Sequence, residues 1–264
     1  MATINPFLQY TDVINSVKME INGEDMLYVS VLNYGYLMYI MNMLKSLSKW
    51  GIDKKILLVC LDKESFNFLS RKGYKTICLD TKITEFSKFD SGKRYLTICF
   101  FKWFAISQLL DTGANILFTD GDIVYLKNPL SEIKKLNGMI DIWIQNDTRS
   151  ENSMNNLCTG FFYVKSNEST RQQFQVASDD QKRLFFNGSG DQLYFNMYMK
   201  PNLLCSVLPL NEYPNGAYFY MTHQLQPSTI LVHFNWVIGH EKLAKMKQVG
   251  LWILTEDEEI ACQE

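Results

Sequence analysis

The sequence predicts an α/β fold: a single domain, residues 1–264, with a mainly parallel central sheet flanked by helices. Three observations lead there. Short apolar runs rich in β-formers alternate with longer stretches of helical period. The 264 residues, 47% of them hydrophobic, suffice for one large core. No linker, internal repeat or low-complexity segment divides the chain.

The elements follow in order. Residues 26–32 form an apolar β-type run, and after Asn33-Tyr34-Gly35 an amphipathic stretch extends over 36–50 to Gly51, giving β then α. Residues 55–61 are the next strand, 63–72 a helix stopped by Gly73, and 74–79 a third strand. Such βαβ units imply parallel strands joined by right-handed crossovers. Residues 80–92 are polar and aperiodic, a surface loop of the kind that closes over ligands. Helical spacing resumes over 94–110, Asp111-Thr112-Gly113 ends it, and 115–119 is a fourth strand. Beyond it the pattern is more mixed, with strands at 140–145 and 159–165, a short helix at 170–177, and an amphipathic segment that Gly188-Ser189-Gly190-Asp191-Gln192 opens and Met199 closes.

The fourth strand runs straight into Asp120-Gly121-Asp122. Side chains at i and i+2 of an extended chain share a face, so the two carboxylates can hold one hard divalent cation or divide metal and ligand between them. Mg²⁺ and Mn²⁺ favour carboxylate oxygens and keep waters and substrate phosphates as further ligands, which points to a nucleotide diphosphate partner. Open α/β sheets bind ligands outside the carboxyl ends of their strands, where this pair lies.

Composition narrows the field. Lys plus Arg number 26 against 28 Asp plus Glu, so the formal charge of −2 gives no general attraction to nucleic acid or an anionic membrane. Phosphate binding must be local. The six cysteines, Cys60, Cys78, Cys99, Cys158, Cys205 and Cys262, have no zinc-type spacing and read as buried, reduced thiols. The N-terminus lacks the features of a secretory signal, and the apolar stretch 95–110 falls short of the ~20 residues of a membrane span. No transmembrane segment is expected, and a cytoplasmic location, that of a host cell if the source is viral, is the corresponding expectation.

Taken in order, several blocks carry a family resemblance. They are Asp120-Gly121-Asp122 with Leu126-Lys127-Asn128-Pro129, Asn156-Leu157-Cys158-Thr159-Gly160-Phe161, Gly190-Asp191-Gln192 with Phe195-Asn196, and Tyr213-Pro214-Asn215-Gly216. His233-Phe234-Asn235-Trp236 follows, with Gly239, Lys242 and Gly250-Leu251-Trp252. The chain resembles the nucleotide-diphospho-sugar transferase family of GT-A glycosyltransferases and is similar to glycosyltransferase family 77, with matched blocks from about residue 28 to residue 252.

The resemblance implies a GT-A domain whose residues 1–130 bind the nucleotide and 131–255 form the acceptor side, with 256–264 a solvated acidic tail. It implies transfer of a sugar from a nucleotide-diphosphate donor, a UDP-sugar by family habit, to a hydroxyl of a glycan or glycoprotein, with retention favoured and Mn²⁺ or Mg²⁺ as cofactor. In this family's terms Asp120 contacts the ribose or the metal and Asp122 coordinates the metal, with His233 completing the metal shell. Gly239 and Lys242 approach the diphosphate, while Asn33 and Tyr34 sit at the base, where an aromatic stacks on a pyrimidine. Lys102 is expected to face the same cleft. Asp191 lies nearest the sugar, where a carboxylate can act on an oxocarbenium-like transition state as base, nucleophile or orienting group.

Plainer readings exist for most of these residues. Asp191 suits a helix N-terminus on electrostatic grounds alone, and His233 between Val232 and Phe234 suits a hydrogen-bonded core histidine. Tyr34 and Tyr36 suit helix-start aromatics, Lys102 a snorkelling lysine, and Thr159-Gly160 strand punctuation. Two other functions share carboxylates at strand ends: a metal-dependent nucleotidyltransferase or phosphohydrolase, against which the absence of a P-loop and of G-x-G-x-x-G counts, and a non-catalytic nucleotide-sugar-binding module.

Overall fold

The computed structural model describes residues 6–82, 93–150, 153, 155–179, 190–222 and 224–263. Of the expected loop 80–92, residues 83–92 lie outside that set, as do Gly188 and Ser189.

The chain enters through helix α1 (Thr11–Val17) and a hairpin of β1 (Met19–Ile21) and β2 (Glu24–Leu32). Asn22 and Gly23, both at positive φ, form its two-residue turn and pair Ile21 with Glu24, the Asn-Gly signature of a tight hairpin. A 3₁₀ turn (Tyr34–Tyr36) leads into α2 (Leu37–Ser48), followed by β3 (Ile56–Cys60), α3 (Lys63–Arg71) and β4 (Lys75–Cys78). Asp62 caps α3 by accepting from the Ser65 N–H at 2.8 Å. Helix α4 (Lys93–Leu110) and β5 (Asn115–Thr119) complete the first half at the expected places.

Strands β4, β3, β2 and β5 lie side by side and parallel. From β2 the chain moves outward through β3 to β4, then returns to set β5 on the other side of β2. The strand order reverses between β2 and β5, so their carboxyl ends, leading into Asn33 and Asp120, frame a crevice of the kind that binds ligands in α/β sheets.

The second half is mixed, as its weaker pattern implied. After β6 (Ile123–Tyr125) and α5 (Pro129–Ile133), β7 (Ile142–Asn146) and β8 (Leu157–Val164) extend the sheet. Strand β8 runs antiparallel to both β5 and β7. Helix α6 (Glu168–Asp179), the short α7 (Gly190–Tyr194) with a π turn (Phe195–Met199), and β9 (Cys205–Leu208) parallel to β7 follow. Helix α8 (Gly216–Thr222), β10 (Leu231–His233), paired antiparallel with β6, α9 (Gly239–Gln248) and α10 (Glu256–Ala261) close the chain.

Alternating faces of the strands feed two helical layers. Leu27 and Val29 pack with Trp103, Ile106 and Leu109 of α4, whereas Met26 and Tyr28 pack with Ile40, Met43 and Leu44 of α2. A third cluster joins Val124, Val232 and Phe234 to Met246 of α9 and Trp252. The six cysteines are free thiols. Among the described residues no helix is long and apolar enough to cross a membrane.

The acidic run near the end differs from the solvated tail expected for it. Thr255 and Glu258 form a capping box that starts α10, Lys45 pairs with Glu258 at 2.5 Å, and Glu259 accepts from the Trp252 indole at 2.7 Å. Four acidic residues in its first turn suit the positive end of the helix dipole, so the charges that suggested a tail instead start a helix.

Candidate active site

A cavity of about 640 Å³ opens at the crevice between β2 and β5. Asn33, Lys102, Asp120, Asp122, Asp191, His233 and Lys242 line it. Seven of the nine residues singled out from sequence therefore meet at one place, brought from β2, α4, β5, α7, β10 and α9.

Two of the nine lie elsewhere. Tyr34 packs at the edge of the core on the α2 side, and its N–H donates to Asp62 Oδ2 at 2.6 Å; the aromatic that lines the cavity is Tyr36. The 3₁₀ turn causes this, because it carries successive side chains to different sides. Gly239 starts α9 at φ +56°, a backbone that favours glycine, and its carbonyl accepts from the Tyr39 hydroxyl at 3.2 Å. It sets the path of the chain between Ile238 and Lys242, both of which line the cavity.

Asp120 directly follows β5 and Asp122 stands in the turn before β6, so the turn at Gly121, and not the pleat of an extended strand, brings both to the cavity. Gly121 fits because a Cβ there would stand 2.7 Å from Ile40 Cδ1 of α2. Asp122 is the enclosed one, its side chain 6% exposed. Its Oδ2 pairs with Lys242 Nζ and its Oδ1 lies 3.2 Å from His233 Nε2. Burial pushes its carboxyl up, but Lys242 and His233 outweigh that and hold it far below the usual carboxylate range. Asp120 is 35% exposed at the side chain and faces Lys102 Nζ at 3.3 Å. Burial pushes its carboxyl up, Lys102 pulls it back, the charges of Asp122 and Asp191 add to the rise, and the net direction is upward.

The orientation of His233 follows from its neighbours. Gln145 Nε2 donates to the Tyr213 carbonyl at 3.0 Å, which turns Gln145 Oε1 toward His233 Nδ1 at 2.8 Å. Nδ1 therefore carries the proton and Nε2 presents its lone pair to Asp122. Two acceptors then face each other across 3.2 Å, an arrangement that a cation shared between them would relieve. Ligand atoms of Asp120, Asp122 and His233 all lie within 4.8 Å of one another, and two carboxylates with an imidazole form a donor set that fits a divalent cation.

Asp191 stands at the start of α7 and is linked to Asp120 through Lys102. Its Oδ2 accepts from Lys102 Nζ at 2.7 Å and from the Thr159 hydroxyl at 2.8 Å, and Cys99 Sγ stands 3.4 Å from Oδ1. Burial raises its carboxyl, but Lys102 more than offsets this and the net direction is downward. Lys102 thus bridges Asp120 and Asp191, and both carboxylates raise its own ammonium against the effect of burial. The snorkelling alternative does not describe it, since its charged head is buried between two acids.

Further residues of the site were not singled out from sequence. Gly160 is one: Thr159-Gly160 lies inside β8 and does not punctuate a strand, and a Cβ at Gly160 would fall 2.3 Å from His233 Cε1 and 2.7 Å from Asp120 Oδ2. Asp147 is another, with its carboxylate taking donors from Asn235 and Trp236 on Oδ1 and from Gln192 and Asn156 on Oδ2, at 2.7–3.2 Å. All five of these residues line the cavity. Asn156, Gln192 and Asn235 stand within the family blocks, which was their signal; Asp147 and Gln145 have no local pattern.

Comparison with known proteins gives the family and the fold. The profile of the nucleotide-diphospho-sugar transferase family matches residues 51–249. The chain is 26% identical, over 91% of its length, to a UDP-galactose:fucoside alpha-3-galactosyltransferase of Dictyostelium discoideum, of which it spans 45%. It is 21% identical, over 86% of its length, to a UDP-D-xylose:L-fucose alpha-1,3-D-xylosyltransferase of Arabidopsis thaliana, of which it spans 69%. Among solved structures, galactosyltransferase LgtC in complex with donor and acceptor sugar analogues superposes with a TM-score of 0.55 at 12% identity, covering 89% of this chain and 99% of that one. The glycosyltransferase GlyE of Streptococcus pneumoniae does so with a TM-score of 0.55 at 18% identity, covering 90% and 63%. At such identities the structural likeness is one of fold, that of the GT-A glycosyltransferases. With the family profile covering most of its length, the chain belongs to the nucleotide-diphospho-sugar transferase family.

Proposed function

We propose that this chain is a metal-dependent, retaining glycosyltransferase that moves a sugar from a UDP-sugar to a hydroxyl of a glycan or glycoprotein. The observation that carries the reading is the meeting of Asp120, Asp122 and His233 within 4.8 Å at the strand ends, beside Lys242 and with Lys102 linking Asp120 to Asp191. UDP-galactose and UDP-xylose as donors, and a fucose-bearing acceptor, are carried over from the activities of the two relatives above. Retention accords with the α-linkages those relatives form.

In this reading Asp120, Asp122 and His233 hold the cation, with Asp120 also near the ribose. The mixed carboxylate–imidazole set suits Mn²⁺ better than Mg²⁺, which demands near-ideal octahedral geometry. When bound, such a cation supplies Lewis-acid stabilisation to the diphosphate leaving group. Lys242 adds a fixed positive charge to the diphosphate, and the start of α9 beside Gly239 adds the positive end of a helix dipole. Asn33 and Tyr36 border the base. Lys102 and the Thr159 hydroxyl hold the Asp191 carboxylate ionised, so it acts as a fixed negative charge that stabilises the oxocarbenium-like state. Lys102 and Thr159 keep it in place.

The test is transfer from UDP-galactose and UDP-xylose to a benzyl fucoside, with Mn²⁺ and with EDTA. Transfer that needs the cation and falls by about 10³ or more in Asp122→Asn supports the reading. Full activity of that variant in EDTA would sink it, and cation-dependent UDP binding with no turnover across a panel of acceptors would favour a non-catalytic binding module.

A further inference from the structure

Trp236 stands apart from the other tryptophans. Trp103, Trp143 and Trp252 are core residues, 0%, 4% and 9% exposed, whereas Trp236 is 52% exposed and lines the cavity. Its backbone is left-handed at φ +65°, a conformation that bulky residues rarely adopt. The turn is held there: Trp236 Nε1 donates to Asp147 Oδ1 at 2.8 Å and the Asn235 amide donates to the same oxygen at 2.7 Å. The other oxygen of Asp147 takes the Gln192 amide at 2.7 Å, and Gln192 follows Asp191 in α7. One buried carboxylate therefore fixes the indole relative to the residue read as nearest the transferred sugar.

We propose that Trp236 is the acceptor-side platform of this site, stacking its indole on the apolar C–H face of a neutral acceptor pyranose. The inference rests on the transferase reading above and extends it to a specificity-determining residue. An exposed indole that is anchored through its N–H keeps its ring face available while losing little freedom on binding. The Arg149 guanidinium lies over the ring, 5.5 Å from its centroid, a cation–π contact that helps fix the indole plane and brings donors for sugar hydroxyls next to it. Asp147 acts through Trp236 as a positioning residue, holding a strained turn in the orientation the stack requires.

The experiment titrates methyl glycosides of L-fucose, D-galactose, D-glucose and L-rhamnose onto the full chain, followed by broadening of the glycoside proton signals, with UDP affinity in Mn²⁺ measured separately by calorimetry. At least one glycoside binds the wild type. Trp236→Ala weakens it about tenfold or more, the factor that ~1.4 kcal/mol gives, Trp236→Phe keeps it within about threefold, and UDP affinity stays within about twofold in both. A glycoside bound equally well by Trp236→Ala, a panel of which none binds the wild type, or a loss of UDP affinity as large as the loss of glycoside would overturn the proposal. Glycoside binding is read without turnover, so a wild type that binds a glycoside through Trp236 but no UDP would sink the transferase reading and leave the platform standing.

Discussion

The two walls of the cavity carry the same kind of cluster in different states. On one, Asp122 is enclosed between Lys242 and His233 with both oxygens engaged. On the other, Lys102 is shared between an enclosed Asp191 and an Asp120 that remains 35% exposed. Asp120 and Asp122 are only two residues apart, yet the balance of burial against nearby charges carries their carboxyls in opposite directions. Spacing places a pair of ligands, but the contacts each meets decide its role. The enclosed carboxylate is the fixed anchor, and the open one is left to meet what enters the cavity.

Removing the anchor should have the largest effect. Asp122→Ala leaves the Lys242 ammonium buried without its partner, and urea unfolding of the metal-free protein is expected to lose about 3–5 kcal/mol, together with all cation-dependent binding of UDP. Lys102→Met tests the opposite wall. It strands Asp191, but Thr159 still donates to it and Asp120 can turn to solvent, so a loss of about 2–3 kcal/mol is expected in the same measurement. If Lys102→Met cost more than Asp122→Ala, the enclosed cluster would not be the more rigid of the two.

Gly160 joins the walls. Its Cα faces both His233 and Asp120, and Gly160→Ala forces one of them aside, with an expected loss of about 1–3 kcal/mol and a clear fall in Mn²⁺ affinity by calorimetry. An unchanged Mn²⁺ affinity would mean that the close approach has no bearing on the ligands.

The smallest effect is one of sign. A carboxyl depressed in the folded state, such as Asp191, contributes stability that is full above the unfolded value of ~3.9 and lost as pH falls through the folded one. A carboxyl raised in the folded state, such as Asp120, contributes stability that is present at low pH and lost as pH rises past ~3.9 toward its folded value. In metal-free protein the deficit of Asp191→Asn relative to wild type should therefore shrink below pH ~4, while Asp120→Asn should gain on wild type as pH rises above ~4. Parallel pH curves for the two variants would erase the contrast between the walls.

Much of this was legible in the chain. From β2 onward the strands and helices of the first half follow from runs bounded by Gly51, Gly73 and Gly113, and β5 begins and ends where its pattern does, whereas α1 and β1 have no such run. The order of the blocks singles out Asp120, Asp122, Asp191, His233 and Lys242, all of which line the cavity. What stayed hidden is non-local. Gln145 orients His233 across 88 residues, Asp147 holds Trp236 across 89, and Gly160 matters because of a histidine 73 positions on; no local period records such meetings. Tyr34 stands outside the cavity lining because of a 3₁₀ turn that a helix-start pattern does not reveal. The Asn22-Gly23 hairpin and the Thr255–Glu258 capping box were different, since their local signals stand in the sequence and were passed over.

The central claim is that the donor binds through a cation held by the enclosed anchor. Calorimetric titration of UDP into the full chain, in Mn²⁺ and in EDTA, for wild type and Asp122→Asn, tests it most directly. The account predicts binding in Mn²⁺ that EDTA abolishes and that Asp122→Asn loses in either buffer. UDP affinity that is the same in EDTA as in Mn²⁺, and unchanged in the variant, would contradict it.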